Sequence, residues 1–406
     1  MNYAAAIEWL FSTQMFGIKL GLDGPRELLR RYLAYPSRTT KVIHVAGTNG
    51  KGSTCAFIDA IARACGMRTG LFTSPHLIDY RERVQVSGDM IDEERTLRHL
   101  IALRKVCESM EHHPTFFEIT LALAMKHFAE TECELIILET GMGGRLDATT
   151  AIPADVCVIT PIGLDHTQWL GDTIAKIAAE KAGIILPKIP VISAPQHPDA
   201  AEVIAMVANE NRAPLHIIDQ PATGYPLSLS GPHQPWNAAT ALAALHALGI
   251  PLRYDAVQYG LSHTRWPGRF EVLSQGEKSP VILDGAHNPH AAAALAETWQ
   301  QLHPHLKANI IFSAVSSKDI TGVLALLAPL AEHVHLCPVN SPRAVPVSEL
   351  AASLPIGTKY TVYENFSQAF DAVQNEPHKI LICGSLYLVG QARAYLLGGN
   401  YQPSTQ

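Results

Sequence analysis

Short apolar runs alternate with helical patterns along the first two thirds of the chain. Residues 42–46, 134–139 and 155–160 are mostly apolar, and each run ends in a glycine-rich or polar turn. Unbroken apolar runs of this length are typical of strands buried on both faces of a sheet. Between the runs, apolar side chains recur every three or four residues, as in the segments that begin near residues 53 and 115. This alternation predicts a parallel, doubly wound α/β sheet.

The alternation restarts beyond a polar stretch near residue 274. It predicts four further strands, at residues 281–284, 310–315, 333–339 and 379–384. Residues 274–280 lack an apolar pattern, and we interpret them as part of a linker spanning residues 272–280. Such polar stretches commonly join domains. We therefore expect a larger N-terminal domain over residues 1–271 and a smaller C-terminal α/β domain over residues 272–406.

The first apolar run leads into a glycine-rich turn with one lysine, Gly47-Thr48-Asn49-Gly50-Lys51-Gly52, which opens a helical pattern. A strand, a loop of bare backbone N–H groups and a helix N-terminus together attract phosphate. The standard phosphate loop has glycine at the position of Val45 and a hydroxyl residue at the position of Gly52. Because this chain departs at both positions, a glycine-rich turn without a ligand is the alternative interpretation.

Composition and charge narrow the classes of function. A formal net charge of −6 over 406 residues argues against a general nucleic-acid-binding protein, which would be basic. The seven cysteines include no C-x-x-C pair, which favours buried thiols in a reducing, cytoplasmic compartment. No run of about 18 uninterrupted apolar residues occurs, so we expect neither a membrane span nor a membrane partner.

Side chains that suit a magnesium ion follow the predicted strands. Glu139 closes one strand, Ser74 follows a short strand near residue 71, and His166 follows a third. Ligands of open α/β sheets collect at the carboxyl ends of strands, where the phosphate loop also lies. Mg²⁺ prefers oxygen ligands. As alternatives, Glu139 could be solvated at the surface and His166 could be a core histidine.

Two further features also keep two interpretations. The loop at residues 16–25 contains three glycines, so it either approaches a ligand closely or simply connects two helices. Glu118 stands among apolar residues of a predicted helix over residues 115–129, where it would be a solvated or capping residue or would contact a ligand.

Nine short motifs occur in an order that resembles one known family. They are Gly-Thr-Asn-Gly-Lys-Gly-Ser-Thr at residues 47–54, Thr-Ser-Pro-His-Leu at 73–77, Glu-Thr-Gly-Met-Gly-Gly-Arg-Leu-Asp at 139–147, Leu-Asp-His at 164–166, Glu-Lys-Ala-Gly-Ile at 180–184, His-Gln at 233–234, Asn-Ala at 237–238, Pro-Gly-Arg-Phe at 267–270 and Asp-Gly-Ala-His-Asn-Pro at 284–289. The combination resembles the folylpolyglutamate synthase/dihydrofolate synthase family of the Mur ligase superfamily, over roughly residues 17–390. That family also has glycine after the loop lysine.

The resemblance implies a P-loop ATPase-like N-terminal domain, a Rossmann-like C-terminal domain, and ATP and Mg²⁺ as cofactors. The implied metal ligands are Ser74, Glu139 and His166. The implied catalytic residues are Lys51, His287 and Lys181, the last carrying a carbamate as N6-carboxylysine. The implied ATP contacts are Asn49, Gly50, Lys51, Gly52, Ser53, Asn237, Arg269 and Asp284. The implied pterin contacts are Gly17, Ile18, Lys19, Leu20, Thr115, Phe116, Phe117, Glu118 and Leu146.

The implied reaction is ATP-dependent addition of L-glutamate to dihydropteroate, to reduced folates or to both, through an acyl phosphate. The expected partners are these small molecules, and a monomer is expected. One alternative is a Mur-type ligase that joins an amino acid to a cell-wall precursor. The other is a regulatory protein that binds and hydrolyses ATP without ligating anything.

Overall fold

The chain forms two β-sheets with flanking helices, in a computed structural model that describes residues 1–17, 21–275, 278–316 and 318–403. Three residues of the expected pterin site, Ile18, Lys19 and Leu20, lie outside these ranges. Residues 276 and 277 of the expected linker also lie outside them.

The larger sheet is built from the first eight strands of the described chain. They are β1 (Lys41–Ala46), β2 (Thr69–Phe72), β3 (Val84–Val86), β4 (Asp89–Met90), β5 (Leu135–Glu139), β6 (Val156–Ile159), β7 (Val191–Ser193) and β8 (Leu215–Ile217). Their order in the sheet is β4-β3-β2-β5-β1-β6-β7-β8. In this spatial order, the neighbouring strands from β2 through β5, β1, β6 and β7 to β8 are all parallel. At the edge, β3 runs antiparallel to both β2 and β4.

Helices cover both faces of this sheet. They are α1 (Tyr3–Ser12), α2 (Asp23–Arg31), α3 (Lys51–Ala64), α4 (Glu93–Glu108), α5 (Phe116–Glu130), α6 (Thr167–Leu170), α7 (Ile174–Ala182), α8 (Pro198–Glu210), α9 (Gln234–Ala247) and α10 (Tyr254–His263). Successive strand residues point to opposite faces, so Val42 packs into one core and Ile43 into another. The first core receives α1, α2, α4, α5, α7 and α8, and the second receives α3, α9 and α10. The predicted doubly wound sheet is confirmed.

The smaller sheet follows in sequence. Its strands are β9 (Glu271–Gln275), β10 (Lys278–Leu283), β11 (Ala308–Phe312), β12 (Ala331–Leu336), β13 (Tyr360–Val362) and β14 (Lys379–Cys383). Its helices are α11 (Pro289–Leu302), α12 (Ile320–Leu327), α13 (Val347–Ala352), α14 (Phe366–Val373) and α15 (Leu386–Leu397). The strand order is β13-β12-β11-β14-β10-β9, and only β9 runs antiparallel to its neighbour. Two cores again lie on opposite faces.

The expected linker at residues 272–280 is wrong in one respect. β9 and β10 pair as antiparallel neighbours within the smaller sheet, so this stretch supplies two strands. Polar composition misled the interpretation because β9 is an edge strand, and Val272 is 55% exposed. The connection from α10 to the smaller sheet therefore lies between residues 264 and 270. A domain boundary near residue 272 stays a prediction.

Four 3₁₀ turns complete the described secondary structure, at Thr13–Phe16, Tyr80–Arg83, Ala148–Ala151 and Ala328–Leu330. Among the described helices, none has both the length and the apolar character needed to cross a bilayer.

Each sheet with its helices forms one unit, the larger unit around the eight-stranded sheet and the smaller unit around the six-stranded sheet. The two units pack against each other through Leu77, which follows β2 but belongs to a core of the smaller sheet. A Cβ added at Gly390 of α15 would lie 2.1 Å from the Leu77 carbonyl oxygen, so only glycine allows this approach.

Candidate active site

The predicted phosphate loop joins the end of β1 to the start of α3. Gly50 caps α3 with a left-handed φ of 83°, and a Cβ there would lie 2.7 Å from Asn237 Oδ1. Lys51 folds back over the loop, and its Nζ donates to the carbonyl oxygens of Gly47 (3.2 Å) and Thr48 (3.3 Å). The loop therefore presents the N-terminus of α3 together with one ammonium, as a phosphate site requires.

The unusual Gly52 has a steric reason. A Cβ at this position would lie 2.6 Å from Nε1 of Trp266 and 2.8 Å from two carbons of the same indole. Real Cβ atoms do not approach other atoms so closely, so the serine or threonine of the standard loop could not fit here without moving the ring. The packing of Trp266 thus explains the departure from the standard pattern at Gly52.

Lys181 lies in the last turn of α7 and is 4% exposed. Its Nζ donates to the Gly47 carbonyl oxygen at 2.7 Å, so two ammonium groups share that acceptor. Burial, reinforced by the charge of Lys51, lowers the pKa of Lys181 to about 7. A substantial fraction of this amine is therefore neutral near neutral pH.

The three expected metal ligands follow three strands of the larger sheet. Glu139 ends β5, and its Oε2 accepts the Ser74 backbone N–H at 3.2 Å. Burial raises the pKa of Glu139, and the charge of Lys51 opposes that shift. His166 adopts a left-handed φ of 51° before α6, and desolvation followed by the charge of Lys318 lowers its pKa to about 3. Its imidazole is therefore neutral, the form that binds metals.

The chemistry of these three side chains suits a magnesium ion that also contacts nucleotide, and the metal assignment stays a prediction. In the described part of the chain, no three His, Cys, Asp or Glu side chains come together as a metal cluster. A site of few protein ligands is what Mg²⁺ adopts when phosphate oxygens and water complete its shell. Buried Glu139 would supply a hard carboxylate oxygen to such an ion and Ser74 a hydroxyl.

The two units meet beside this group through Asp165. Its carboxylate contacts Lys318 Nζ at 2.5 Å, Asn288 Nδ2 at 3.2 Å and His287 Nε2 at 3.5 Å, all from the smaller unit. Burial disfavours ionisation of Asp165, but the hydrogen bond and charge of His287, together with Lys318, outweigh it and lower the pKa. Asn288 also exchanges hydrogen bonds with Asn49 of the phosphate loop.

Asp284 and Arg269 lie on the smaller unit's side of the same space. The Asp284 carboxylate accepts the backbone N–H groups of Phe270 (2.9 Å) and Ala286 (2.8 Å), and burial raises its pKa. These bonds hold the turn at Phe270, whose φ is +46°. Asp284 therefore fixes the turn that carries Arg269.

The expected pterin residues form an aromatic wall at the start of α5. Thr115 and Glu118 make a capping box, with the Thr115 N–H donating to Glu118 Oε2 at 2.6 Å. The capping role of Glu118 is thus confirmed, and a ligand contact stays a prediction. Phe116 stacks on Phe11 with ring centroids 5.4 Å apart, and Phe117 meets Phe72 edge-on at 5.5 Å.

Every expected site residue within the described ranges lines one cavity of about 510 Å³. They are Gly17, Asn49, Gly50, Lys51, Gly52, Ser53, Ser74, Thr115, Phe116, Phe117, Glu118, Glu139, Leu146, His166, Lys181, Asn237, Arg269, Asp284 and His287. The cavity joins the phosphate loop to the aromatic wall and to the smaller unit. The geometry brings these residues together, while their individual roles stay predictions.

Comparison with known proteins identifies the family. A model of the Mur ligase middle domain matches residues 45–211, and a model of the Mur ligase glutamate ligase domain matches residues 268–386. The dihydrofolate synthase/folylpolyglutamate synthase of Bacillus subtilis is 33% identical over 97% of this chain and 99% of its own length. The chain belongs to the dihydrofolate synthase/folylpolyglutamate synthase family of Mur ligases.

Solved structures of this family superpose closely on the chain. The Escherichia coli FolC structure in complex with DHPP and ADP has a TM-score of 0.87 at 32% identity, covering 98% of this chain and 99% of that one. The bifunctional enzyme of Yersinia pestis, complexed with AMPPNP and a manganese ion, has a TM-score of 0.87 at 33% identity, covering 98% of each chain. Membership makes the chain an ATP-dependent ligase that uses a divalent metal.

The ligase cavity also contains residues that the sequence did not single out. Lys318 and His290 come from the smaller unit, and Asp165 stood only inside a quoted motif. Asn288, which donates to Asp165 beside the cavity, also stood only inside a motif. Asp165 and Lys318 are 153 positions apart in the chain. No local pattern could reveal that pair, because only the packing of the two units brings it together.

Proposed function

We propose that this ligase adds L-glutamate to dihydropteroate and also to reduced folates, with ATP as the energy source. The observation that carries the proposal is the single cavity in which a phosphate loop faces an aromatic wall. A flat heterocycle would pack against Phe116 and Phe117, since aromatic surfaces favour such contacts. The carboxylate of the same substrate would then reach the phosphate loop.

The reaction proceeds in two steps. The substrate carboxylate attacks the γ-phosphorus of ATP and forms an acyl phosphate, with ADP as leaving group. The amine of glutamate then attacks the acyl carbon, loses a proton and expels phosphate, which leaves the new amide. Lys51 would neutralise charge on the transferred phosphoryl group.

A divalent metal would be held by Ser74, Glu139 and His166, and it would neutralise charge on the phosphate oxygens. Backbone N–H groups of residues 49–53 would bind the phosphates. Asn237, Arg269 and Asp284 would contact or frame the rest of ATP, and His287 would act beside the transferred group. Asp165 orients His287 through their 3.5 Å contact.

Exclusion of water is the task of the two units together. An acyl phosphate exposed to solvent would hydrolyse before glutamate attacked it. Asn49, Asp165 and their partners Asn288 and Lys318 close the space between the phosphate loop and the smaller unit. The free state of all seven cysteines supports the further proposal that the enzyme works in a reducing cytoplasm, as expected from the sequence.

We also propose that Lys181 carries a carbamate. Its pKa of about 7 supports this, because carbon dioxide adds only to a neutral amine. The carbamate would replace the repulsion between two ammonium groups at Gly47 with an attraction between Lys51 and an anion.

One assay tests the function: ATP, Mg²⁺ and radiolabelled glutamate are incubated with dihydropteroate or with tetrahydrofolate in parallel. We expect labelled product from both acceptors. Product from the folate alone would overturn the proposal that dihydropteroate is also an acceptor. Labelled product from neither acceptor would overturn both proposed substrates.

A further inference from the structure

The C-terminal residues fold back onto the loop that follows Ser74. The N–H of Gln402 donates to the Ile78 carbonyl oxygen at 2.8 Å, and its side-chain Oε1 accepts the Tyr80 N–H at 3.0 Å. Its carbonyl oxygen lies 2.9 Å from Nε2 of His76. One residue of the smaller unit's tail therefore makes three hydrogen bonds to residues 76–80 of the larger unit.

His76 passes this contact on to a buried arginine. The Nε of Arg83 lies 2.8 Å from His76 Nδ1. A guanidinium has only donors, so Nδ1 must accept. Nε2 then carries the hydrogen in the neutral ring and donates it to Gln402. Arg83 and Gln402 thus hold the imidazole from opposite sides and fix its tautomer.

The hydrogen-bonded network of Gln402, His76 and Arg83 lies next to two parts of the cavity lining. The guanidinium carbon of Arg83, whose residue is 0% exposed, lies 5.0 Å from the ring centroid of Phe116 in the aromatic wall. On the other side, Ser74 lies two residues before His76, and its N–H binds Glu139. His76 is therefore linked to the aromatic wall through Arg83 and to the proposed metal site through the two residues that follow Ser74.

The tail is also tied to the smaller unit. The Tyr401 hydroxyl donates to the Tyr387 carbonyl oxygen at 3.1 Å, and Tyr387 lines the cavity. A Cβ at Gly390 would lie 3.1 Å from the Tyr401 ring, as well as against the Leu77 carbonyl. The tail, α15 and the loop after β2 therefore pack closely against one another at Gly390.

We propose that Gln402 is a positioning residue for the metal site. By holding His76, Ile78 and Tyr80, it fixes the loop that presents the Ser74 hydroxyl, so that metal binding depends on the tail of the other unit. The inference rests on the proposed role of Ser74 as a metal ligand. A purely structural tail would affect thermal stability and leave metal affinity unchanged.

The test measures Mn²⁺ affinity for the enzyme–ADP complex by electron paramagnetic resonance, which needs no turnover. A chain ending at Asn400 lacks the contacts, and a chain ending at Pro403 keeps them as the matched control. We expect the shorter chain to bind Mn²⁺ about fivefold more weakly than the control. This factor corresponds to the net free energy of one ordinary hydrogen bond. The full-length variant Gln402→Pro, which loses the N–H and the amide side chain, should show a smaller loss in the same direction.

Equal Mn²⁺ affinity in the two shortened chains would overturn the inference, whatever their melting temperatures. If the shorter chain does not fold, Gln402→Pro decides alone, and unchanged affinity in that variant has the same meaning. The variant Ser74→Ala distinguishes failure of the metal assignment from failure of the inference about Gln402. Normal affinity in Ser74→Ala would overturn the metal assignment and this inference together, whereas weakened binding in Ser74→Ala with normal binding in the tail variants would overturn only the inference.

Discussion

The Nζ of Lys181 donates to the carbonyl oxygen of Gly47 at 2.7 Å, although 134 positions separate the two residues. The contact joins the last turn of α7 to the start of the phosphate loop, where Lys51 uses the same oxygen. An ordinary lysine near a helix C-terminus would extend into water and gain a few tenths of a kcal/mol from the helix dipole. Lys181 is buried instead, so interaction with the helix dipole alone does not explain its position.

We predict that Lys181→Ala loses most activity, because the variant cannot form the carbamate. A carbon-13 signal from labelled bicarbonate should appear in the native protein and be absent from the variant, and small carboxylic acids should restore part of the activity. Lys176→Ala is the control, since that exposed lysine of α7 pairs with Asp172 at the surface. A native enzyme that is fully active without the carbon-13 signal would contradict the carbamate.

Lys51→Ala should lower kcat/KM about 10³-fold, the loss typical for removal of one charged group that stabilises a transition state. The fold should survive, because the Lys51 ammonium bonds to carbonyl oxygens of the loop and does not pack into a hydrophobic core. Steady-state kinetics and circular dichroism measure the two effects, with the exposed Lys105→Ala of α4 as control. Near-normal activity would remove the phosphate loop from the mechanism.

The predictable part of the fold was the part with strong local signals. Apolar runs such as 134–139 and the glycine turn at residue 47 predicted buried parallel strands and a phosphate loop, since backbone sterics and burial act locally. The hairpin of β9 and β10 was missed because an exposed edge strand carries few apolar residues. Lys318 and Gln402 were missed because their partners are distant in sequence.

Gly52 illustrates a residue whose motif was noticed without its cause. The sequence showed the departure, and only the packing of Trp266 explains it. We predict that Gly52→Ala weakens ATP binding and destabilises the fold by about 1–3 kcal/mol, the usual range for an overpacked site. The double variant Gly52→Ala/Trp266→Leu should recover much of the ATP affinity, measured by calorimetry. A double variant no better than the single one would show that the indole does not exclude the side chain.

Stability should fall in mild acid because of His44. This fully buried residue on β1 contacts Thr149 Oγ1 through Nε2 at 2.8 Å, and burial lowers its pKa to about 3. The unfolded chain binds a proton near pH 6.5. Since the native ring stays neutral, the contribution of His44 is complete above that pH and is lost as the pH falls toward 3.

Between pH 7 and pH 5 this single group should remove about 2 kcal/mol from the free energy of unfolding. His44→Gln, which keeps an amide near Thr149, should flatten that part of the pH dependence in urea titrations. The exposed His216→Gln serves as control. An equal slope for His44→Gln and the parent would show that His44 is not held neutral.

The acyl phosphate is the central claim, and transfer of oxygen-18 from substrate to product tests it most directly. Dihydropteroate labelled in its carboxylate oxygens is incubated with the enzyme, ATP, Mg²⁺ and glutamate, and the released phosphate is analysed by mass spectrometry. Because the attacking carboxylate oxygen leaves with phosphorus, each phosphate should carry one oxygen-18 atom for each amide formed. Amide formation accompanied by unlabelled phosphate would contradict the mechanism.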